Sequence, residues 1–329
     1  MTFLYVIIAL VLAFDFINGF HDSANSIACV VSTKVLSPFA AVAMAAFFNF
    51  IAFLIFHLKV ASTIGKGVVE PDVINLNTIG AALIAAITWN LITWWWGLPS
   101  SSSHTLVGGL IGAAAASSGF GSIITGGVIK IVAFIFIAPL LGFVVSFFLS
   151  SFTMWIFRKV PPFSVDKWFR RFQIASASAF SLGHGGNDAQ KSMGIIWVAM
   201  IINGLVTKDA TAPPTWVVLA CYSAIALGTL FGGWRIVKTM GQRITKLKPF
   251  EGFCSETAGA ITLFVATHFG IPVSTTHTIT GAIMGTGARK GASAVKWGVT
   301  RKIFWAWILT IPISGIIGAV MYFFFNWVN

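Results

Sequence analysis

The chain has 329 residues, 57% of them hydrophobic and only 9% charged, against the roughly one quarter charged residues of a soluble domain. A soluble core cannot absorb that much apolar surface, so the composition excludes an ordinary soluble fold and points to an integral membrane protein. The formal charge of +12 does not mark a nucleic-acid partner, because the basic residues fall in short clusters between apolar runs rather than along one polar face.

In chain order, the first element, Thr2 to Thr33, is a long apolar segment interrupted by Gly and polar residues, which predicts a broken helix. No basic region precedes it and no cleavage site is evident after it, so it reads as a retained helix rather than a removable signal. Phe39 to Leu58 predicts a spanning helix. Residues 79–117 predict two helices bent at Gly97-Leu98-Pro99-Ser100-Ser101-Ser102-Ser103-His104-Thr105, a re-entrant hairpin. A closing helix follows over Ile131 to Phe157, above the ~20 residues that span a bilayer.

The order then repeats. Trp168 to Asn203 is again apolar with Gly and polar interruptions, Trp216 to Ile236 is a second spanning segment, and 256–288 is a second pair bent at Gly270-Ile271-Pro272-Val273-Ser274-Thr275-Thr276-His277-Thr278. A last apolar run, Ile303 to Val328, closes the chain. Within the two interrupted segments, Gly19-Phe20-His21-Asp22-Ser23-Ala24-Asn25-Ser26 corresponds in position to Gly185-Gly186-Asn187-Asp188-Ala189-Gln190-Lys191-Ser192. The expected fold class is an all-α integral membrane protein made of two repeats, 1–160 and 161–329. Each repeat has a broken helix, a spanning helix, a re-entrant hairpin and a closing helix.

A re-entrant hairpin leaves on the side it entered, so each repeat crosses three times and the second is inverted. The basic clusters test this independently. Arg158 to Arg171, Arg235 to Lys248, Arg289 to Lys302 and Lys34 all fall inside, while the charge-balanced loop with Lys59, Lys66, Glu70 and Asp72 and the charge-free stretch Gly119 to Gly127 fall outside. Both termini are then extracytoplasmic, in a cell (inner or plasma) membrane.

Ionisable residues inside membrane segments are costly and mark function by default. Asp22 and Asp188 recur at matching positions, where a break would free backbone groups to line a cavity; the plainer role is an acid capping a broken helix. Pro99 and Pro272 should each open a half-helix. That places Ser101, Ser102 and Ser103, and Ser274, Thr275 and Thr276, in first turns whose free N–H groups and positive dipole end suit an oxyanion. N-capping and small-residue packing are the alternative uses of these hydroxyls.

These residues resemble the inorganic phosphate transporter (PiT) family, most closely its bacterial low-affinity permease branch. Both acid motifs and both Gly-x-Pro-x-Ser-x-x-His stretches match, in order, over essentially the whole chain. The resemblance implies an inverted-repeat phosphate symporter, often a homodimer. Asn25, Ser101, Ser102, Ser103, Asn187, Lys191, Ser274, Thr275 and Thr276 would bind phosphate, alone or as a metal-phosphate complex. Asp22, Asp188 and Glu256 would serve the coupling cation, with Asp22 and Asp188 as metal ligands if that cation is sodium.

Two departures bear on the coupling ion. His21 stands where the broader family has Asn, and Lys191 stands opposite Asn25 of the first repeat. An ammonium three residues after Asp188 shares its helix face and can fill electrostatically the place of sodium, which favours a proton; direct binding of phosphate is the other use of Lys191. Asp15, seven residues before Asp22 and near the same face, adds a second intramembrane carboxyl, either a proton carrier or a hydrogen-bonded structural acid.

His104 and His277 occupy symmetric positions after the tips and suit tip packing better than a proton relay. His57, His184 and His268 have no repeat partner and carry no assigned role. Trp94, Trp95 and Trp96 should wall the first hairpin. Cys29, Cys221 and Cys254 lack metal-ligand spacing and read as packing.

The expected function is a phosphate:cation symporter with H+ favoured over Na+, no cofactor, and the lipid bilayer and phosphate as partners. A sulfate symporter is the nearest rival, since a tetrahedral oxyanion fits the same donors. Paired acids favour phosphate because it can donate a proton to a carboxylate and sulfate cannot. A passive anion channel would need a continuous polar path, and an enzyme would need a nucleophile, base and acid together or a nucleotide-binding loop, which the chain lacks.

Overall fold

The computed structural model describes residues 2–56, 58, 61, 67–207, 210, 212–271 and 273–328; His57, Lys59, Lys66 and Pro272 lie outside the described residues. These residues form helices α1 (Thr2–Ser32), α2 (Pro38–Ile51), α3 (Leu76–Trp96), α4 (Ser102–Ser118), α5 (Thr125–Phe157), α6 (Pro162–Ile202), α7 (Thr215–Phe231), α8 (Trp234–Lys238), α9 (Pro249–His268), α10 (Thr275–Arg289) and α11 (Trp297–Val328). No strand is found among the described residues, only one isolated bridge between Val69 and Ile123. Four helices, α1, α3, α5 and α11, are individually long and apolar enough to cross a membrane. The chain is an all-helical, multi-pass membrane protein.

α1 and α6 form the centre. Both are buried on every face through their polar motifs, from His21 to Val30 and from Gly183 to Gly194. A helix surrounded on all sides must be enclosed by other helices. Around them the pairings come in corresponding sets: α4 packs on α11 and α10 on α5, α3 on α1 and α9 on α6, α7 on α1 and α2 on α6. The outer faces of α5 and α11 present Phe136, Leu140, Phe148, Ile316, Val320 and Phe323 outward, an apolar coat suited to lipid.

The expected breaks at Asp22 and Asp188 are not found: α1 and α6 run unbroken through both acids, for 31 and 41 residues. The glycines there serve close approach instead. A methyl at Gly19 would collide with the Ile225 carbonyl, at Gly185 with Asn49 backbone and at Gly194 with the Ala61 carbonyl. The helix keeps its own hydrogen bonds and uses the missing side chains to admit neighbours.

The second spanning segment is the one that breaks. α7 ends at Gly232, whose φ of 69° lies in the left-handed region that favours glycine, and the chain turns by 61° into α8 and a π-helical turn, Thr239–Arg243. Ser23 Oγ accepts the freed Gly233 N–H at 2.5 Å and itself donates to the Phe20 carbonyl at 2.9 Å. The break is thus tied to the residue next to Asp22. In the first part of the chain, α2 is shorter than expected, giving way to a 3-10 turn over Ala52–Leu54.

The three basic stretches converge at one end. A cavity of about 340 Å³ is lined by Arg158, Asp166, Lys248, Glu251 and Arg289 together with apolar neighbours. Arg170 donates to the Lys34 carbonyl and Lys290 to the Lys246 carbonyl, at 3.2 and 2.9 Å. Separately, the loop at Val68 to Glu70 pairs with Ser122 to Ile124, joining the two expected outside loops.

Candidate functional site

Each hairpin turns on a left-handed glycine, Gly97 with φ 65° and Gly270 with φ 68°, a conformation that costs a side-chain-bearing residue about 1 kcal/mol or more. The following helices start with a serine cap. Ser101 Oγ accepts from the His104 N–H at 3.3 Å and Ser274 Oγ from the His277 N–H at 3.2 Å. Both hydroxyls therefore carry the capping role that the sequence left open. Pro99 does not open α4 as expected; it lies three residues ahead of Ser102, because Ser101 supplies the cap and the Pro99 carbonyl is held by the Trp307 indole N–H at 2.9 Å.

The tips meet the two acid motifs. Lys191 Nζ on α6 donates to Asp188 Oδ1 and to Ser103 Oγ of the first tip, each at 2.5 Å, and to the Val273 carbonyl of the second at 3.1 Å. Thr275 Oγ1 donates to Asp188 Oδ2 at 3.1 Å and Thr276 Oγ1 to Asp22 Oδ1 at 3.4 Å. Asn25 Nδ2 on α1 donates to both threonines, at 3.3 and 2.9 Å. All these groups are buried except Ser103, which is half-buried. The second tip bridges α1 and α6, while the first reaches α6 through one lysine.

The residue preceding each acid ties its motif to the neighbouring hairpin. His21 bonds Asp22 Oδ1 through Nδ1 at 2.7 Å and faces Thr93 and Ser100 through Nε2 at 3.1 and 3.4 Å. Asn187 Nδ2 donates to Thr267 Oγ1 at 3.2 Å and to the Ile271 carbonyl at 3.4 Å. His21 and Asn187, unlike in chemistry, do the same positional work.

Several buried atoms at this place have no hydrogen-bond partner among the described residues: Asn25 Oδ1, Asn187 Oδ1 and Ser102 Oγ; His184 Nε2 lies 3.2 Å from Asp188 Oδ2. Leaving such groups unpaired costs about 1–3 kcal/mol each. Amide oxygens able to coordinate a cation and a hydroxyl able to donate to an oxyanion are groups that a site for both would use. Asp22, His184 and Asp188 each bring one ligand atom within 4.8 Å of the other two.

Sequence reasoning missed His184. Its partner Asn49 is 135 residues away in the chain, though its spacing of four from Asp188 was a usable signal.

Two expected coupling acids stand apart. Asp15 is fully buried and accepts from Ser192 Oγ at 2.5 Å, one helical turn beyond Asp188 on α6. Glu256 accepts from Ser176 Oγ at 2.7 Å and from Gln173 Nε2 at 3.5 Å, and Gln173 is held in turn by Thr33 at 2.9 Å. Ser176 precedes Asp188 by twelve residues, roughly 18 Å along a helix. Glu256 belongs to a second polar cluster.

His104 and His277 pack ring on ring, with centroids 4.8 Å apart, and His277 stacks on Trp307 at 4.1 Å. Trp94 packs on Phe20, while Trp95 and Trp96 point outward, about 60% exposed. The Arg235 guanidinium lies 4.1 Å over the Trp95 ring. Only the first of the three tryptophans walls the hairpin.

Residues 18–318 match the model of the phosphate transporter family. The chain belongs to that family. A protein of Rhizobium meliloti (strain 1021) described as a probable low-affinity inorganic phosphate transporter is 56% identical over 317 residues, covering 96% of this chain and 95% of the relative. One of the same description from Bacillus subtilis (strain 168) is 46% identical, covering 99% and 97%. The fold matches a solved structure described as the sodium-dependent phosphate transporter with a TM-score of 0.88, at 26% identity and full coverage of both chains. Membership of a transporter family sets aside an enzymatic role.

Proposed function

We propose that this member of the phosphate transporter family is a secondary active symporter that moves inorganic phosphate with a cation by alternating access. The observation that carries this reading is the convergence of hydroxyls from both tips on Lys191 and on the acid motifs of α1 and α6. In this reading Asn25, Ser102, Ser103, Asn187, Lys191, Thr275 and Thr276 face the anion, and Ser101 and Ser274 shape the tips that hold it. Asp22 and Asp188, with Asp15 and Glu256 further off, serve the cation.

The two stretches 1–160 and 161–329 form an inverted repeat in this proposal. The exchanged pairings of α4 with α11 and α10 with α5 support it. α3, at 21 residues, is long enough to span, yet a hairpin counted as two crossings or as re-entrant adds an even number, so the inversion stands either way. The gathering of the basic stretches at one end supports a cytoplasmic placement of that end, with both termini extracytoplasmic in the cell membrane. A homodimer is part of the proposal on the strength of the family resemblance.

Proton coupling is favoured because Lys191 occupies Asp188 Oδ1, an oxygen that sodium would need. Sodium coupling is the second reading, favoured by the sodium-dependent transporter whose fold this chain shares. Uptake into proteoliposomes with proton and sodium gradients imposed one at a time separates them. Phosphate competing against sulfate and arsenate tests the substrate: sulfate winning overturns it, and uptake that only equilibrates under every gradient makes the chain a channel.

A further inference from the structure

The cavity of about 340 Å³ at the basic end is built where four helices begin or end. Arg158 follows α5, Asp166 lies in the early turns of α6, Lys248 and Glu251 open α9, and Arg289 closes α10. α9 and α10 are the two arms of the second hairpin, so the cavity gathers the ends opposite its tip. No residue of the proposed phosphate site lines it.

The two acids of the cavity are already matched. Asp166 accepts from Arg170 at 2.9 Å. Buried Glu251 meets Lys290 Nζ at 2.9 Å on Oε1 and accepts the Lys248 N–H at 3.0 Å on Oε2. The cations are not matched. Among the described residues, Arg158 and Lys248 form no ion pair. Arg289 reaches Glu251 only at 3.5 Å, on the oxygen that Lys290 already holds. Its Nη1 faces the Met154 thioether, a weak acceptor, and its buried Nε has no partner among the described residues. With a side chain only 11% exposed, a guanidinium in that position is costly without an acceptor. The start of α6 adds to the field, because Pro162 lines the cavity and no side chain caps that helix end. The site is set for an anion.

Its surroundings are those of a headgroup layer. Arg158 lies over the Trp155 ring at 5.2 Å and Arg171 over the Trp168 ring at 5.6 Å, with both tryptophans and the nearby Phe163 exposed. Tryptophans so placed mark a membrane–water interface. Much of the lining is apolar, from Met154, Phe157, Val160 and Phe250. A free anion has no use for that wall, whereas a lipid does. We propose that this cavity binds the headgroup phosphate of an anionic phospholipid, with Arg289, Lys248 and Arg158 on the phosphate and the apolar wall on the glycerol and upper chains. Basic pockets between transmembrane helices hold such headgroups in other membrane proteins. Bound here, the lipid ties both arms of the second hairpin to the link between α5 and α6.

The test is native mass spectrometry of the delipidated full chain in detergent, titrated with phosphatidylglycerol or with phosphatidylcholine. Expected is one phosphatidylglycerol per chain, held at least about tenfold more tightly than phosphatidylcholine. Arg289→Gln and Lys248→Gln should each weaken it about fivefold, and the pair about 25-fold. Lys248 is exposed, so its variant decides the matter if Arg289→Gln is not monodisperse. Arg301→Gln, which removes an exposed cation that does not line the cavity, should leave binding unchanged. Equal affinity for the two lipids, undiminished binding in the Arg289 and Lys248 variants, or an equal loss in Arg301→Gln overturns the proposal. So does displacement of the lipid by glycerol phosphate at matching concentration, which would make this a site for a soluble phosphoester.

Discussion

Lys191 Nζ sits 2.5 Å from Asp188 Oδ1, three residues away on the same face of α6, and at the same distance from Ser103 Oγ on the opposing tip. One ammonium therefore neutralises an intramembrane acid and ties α6 to the first hairpin. Lys191→Asn strips both roles and makes the motif resemble that of α1, where Asn25 stands. Removing one partner of a buried ion pair costs about 3–5 kcal/mol, so the variant should unfold earlier in detergent. Phosphate affinity should fall at least tenfold and sodium should begin to stimulate uptake. Unchanged affinity, pH profile and sodium response together would remove Lys191 from the site.

Asn25 holds the second tip by donating to both Thr275 and Thr276. Asn25→Ala leaves those hydroxyls without their donor, at about 1–3 kcal/mol. Binding of phosphate should weaken by roughly one to two orders of magnitude, read by calorimetry. An effect on stability alone, with affinity intact, would make Asn25 a packing residue.

The tips and acid motifs were legible because they bring unusual residues, Pro, Gly, Ser and ionisable groups, into apolar segments at repeated positions. What the glycines do was not. Gly19 and Gly185 read as breaks, but their use depends on Ile225 and Asn49 backbone arriving from other helices. The Gly232-Gly233 pair carried the break signal in plain view, yet it fell in a segment read as an uninterrupted span. His184 and the separation of Glu256 from Asp188 depend on partners 135 and 80 residues distant, beyond any local pattern.

Ser23 Oγ takes the Gly233 N–H at the break. Ser23→Ala orphans a buried donor, costing about 1–3 kcal/mol, and should loosen the α7–α8 bend beside Asp22. Faster amide exchange at residues 233–237, with slower uptake, is the expected result. Unaltered exchange there would show that the bend is held by packing alone.

His104 and His277 touch where the two tips meet. An aromatic contact of this kind contributes about 0.5–1.5 kcal/mol beyond its buried area. A double-mutant cycle with His104→Ala and His277→Ala, read by unfolding in detergent, should return a coupling of that size. The pH profile of uptake should keep its shape in a variant that retains bulk, His277→Phe. A flattened profile would instead make the pair a proton relay.

Glu256 offers the sharpest separation of coupling from binding, because it lies roughly 18 Å along α6 from the acids that meet the tips. Glu256→Gln keeps the shape and an acceptor for the Ser176 hydroxyl while removing the exchangeable proton. If Glu256 carries a coupling proton, phosphate affinity should change by less than about threefold, a difference under 1 kcal/mol. Accumulation driven by a proton gradient should fall to equilibration. Tight coupling in the variant would leave Glu256 as a hydrogen-bonded strut between α6 and α9, and would return the proton to Asp15, whose Ser192 contact lies one turn from Asp188.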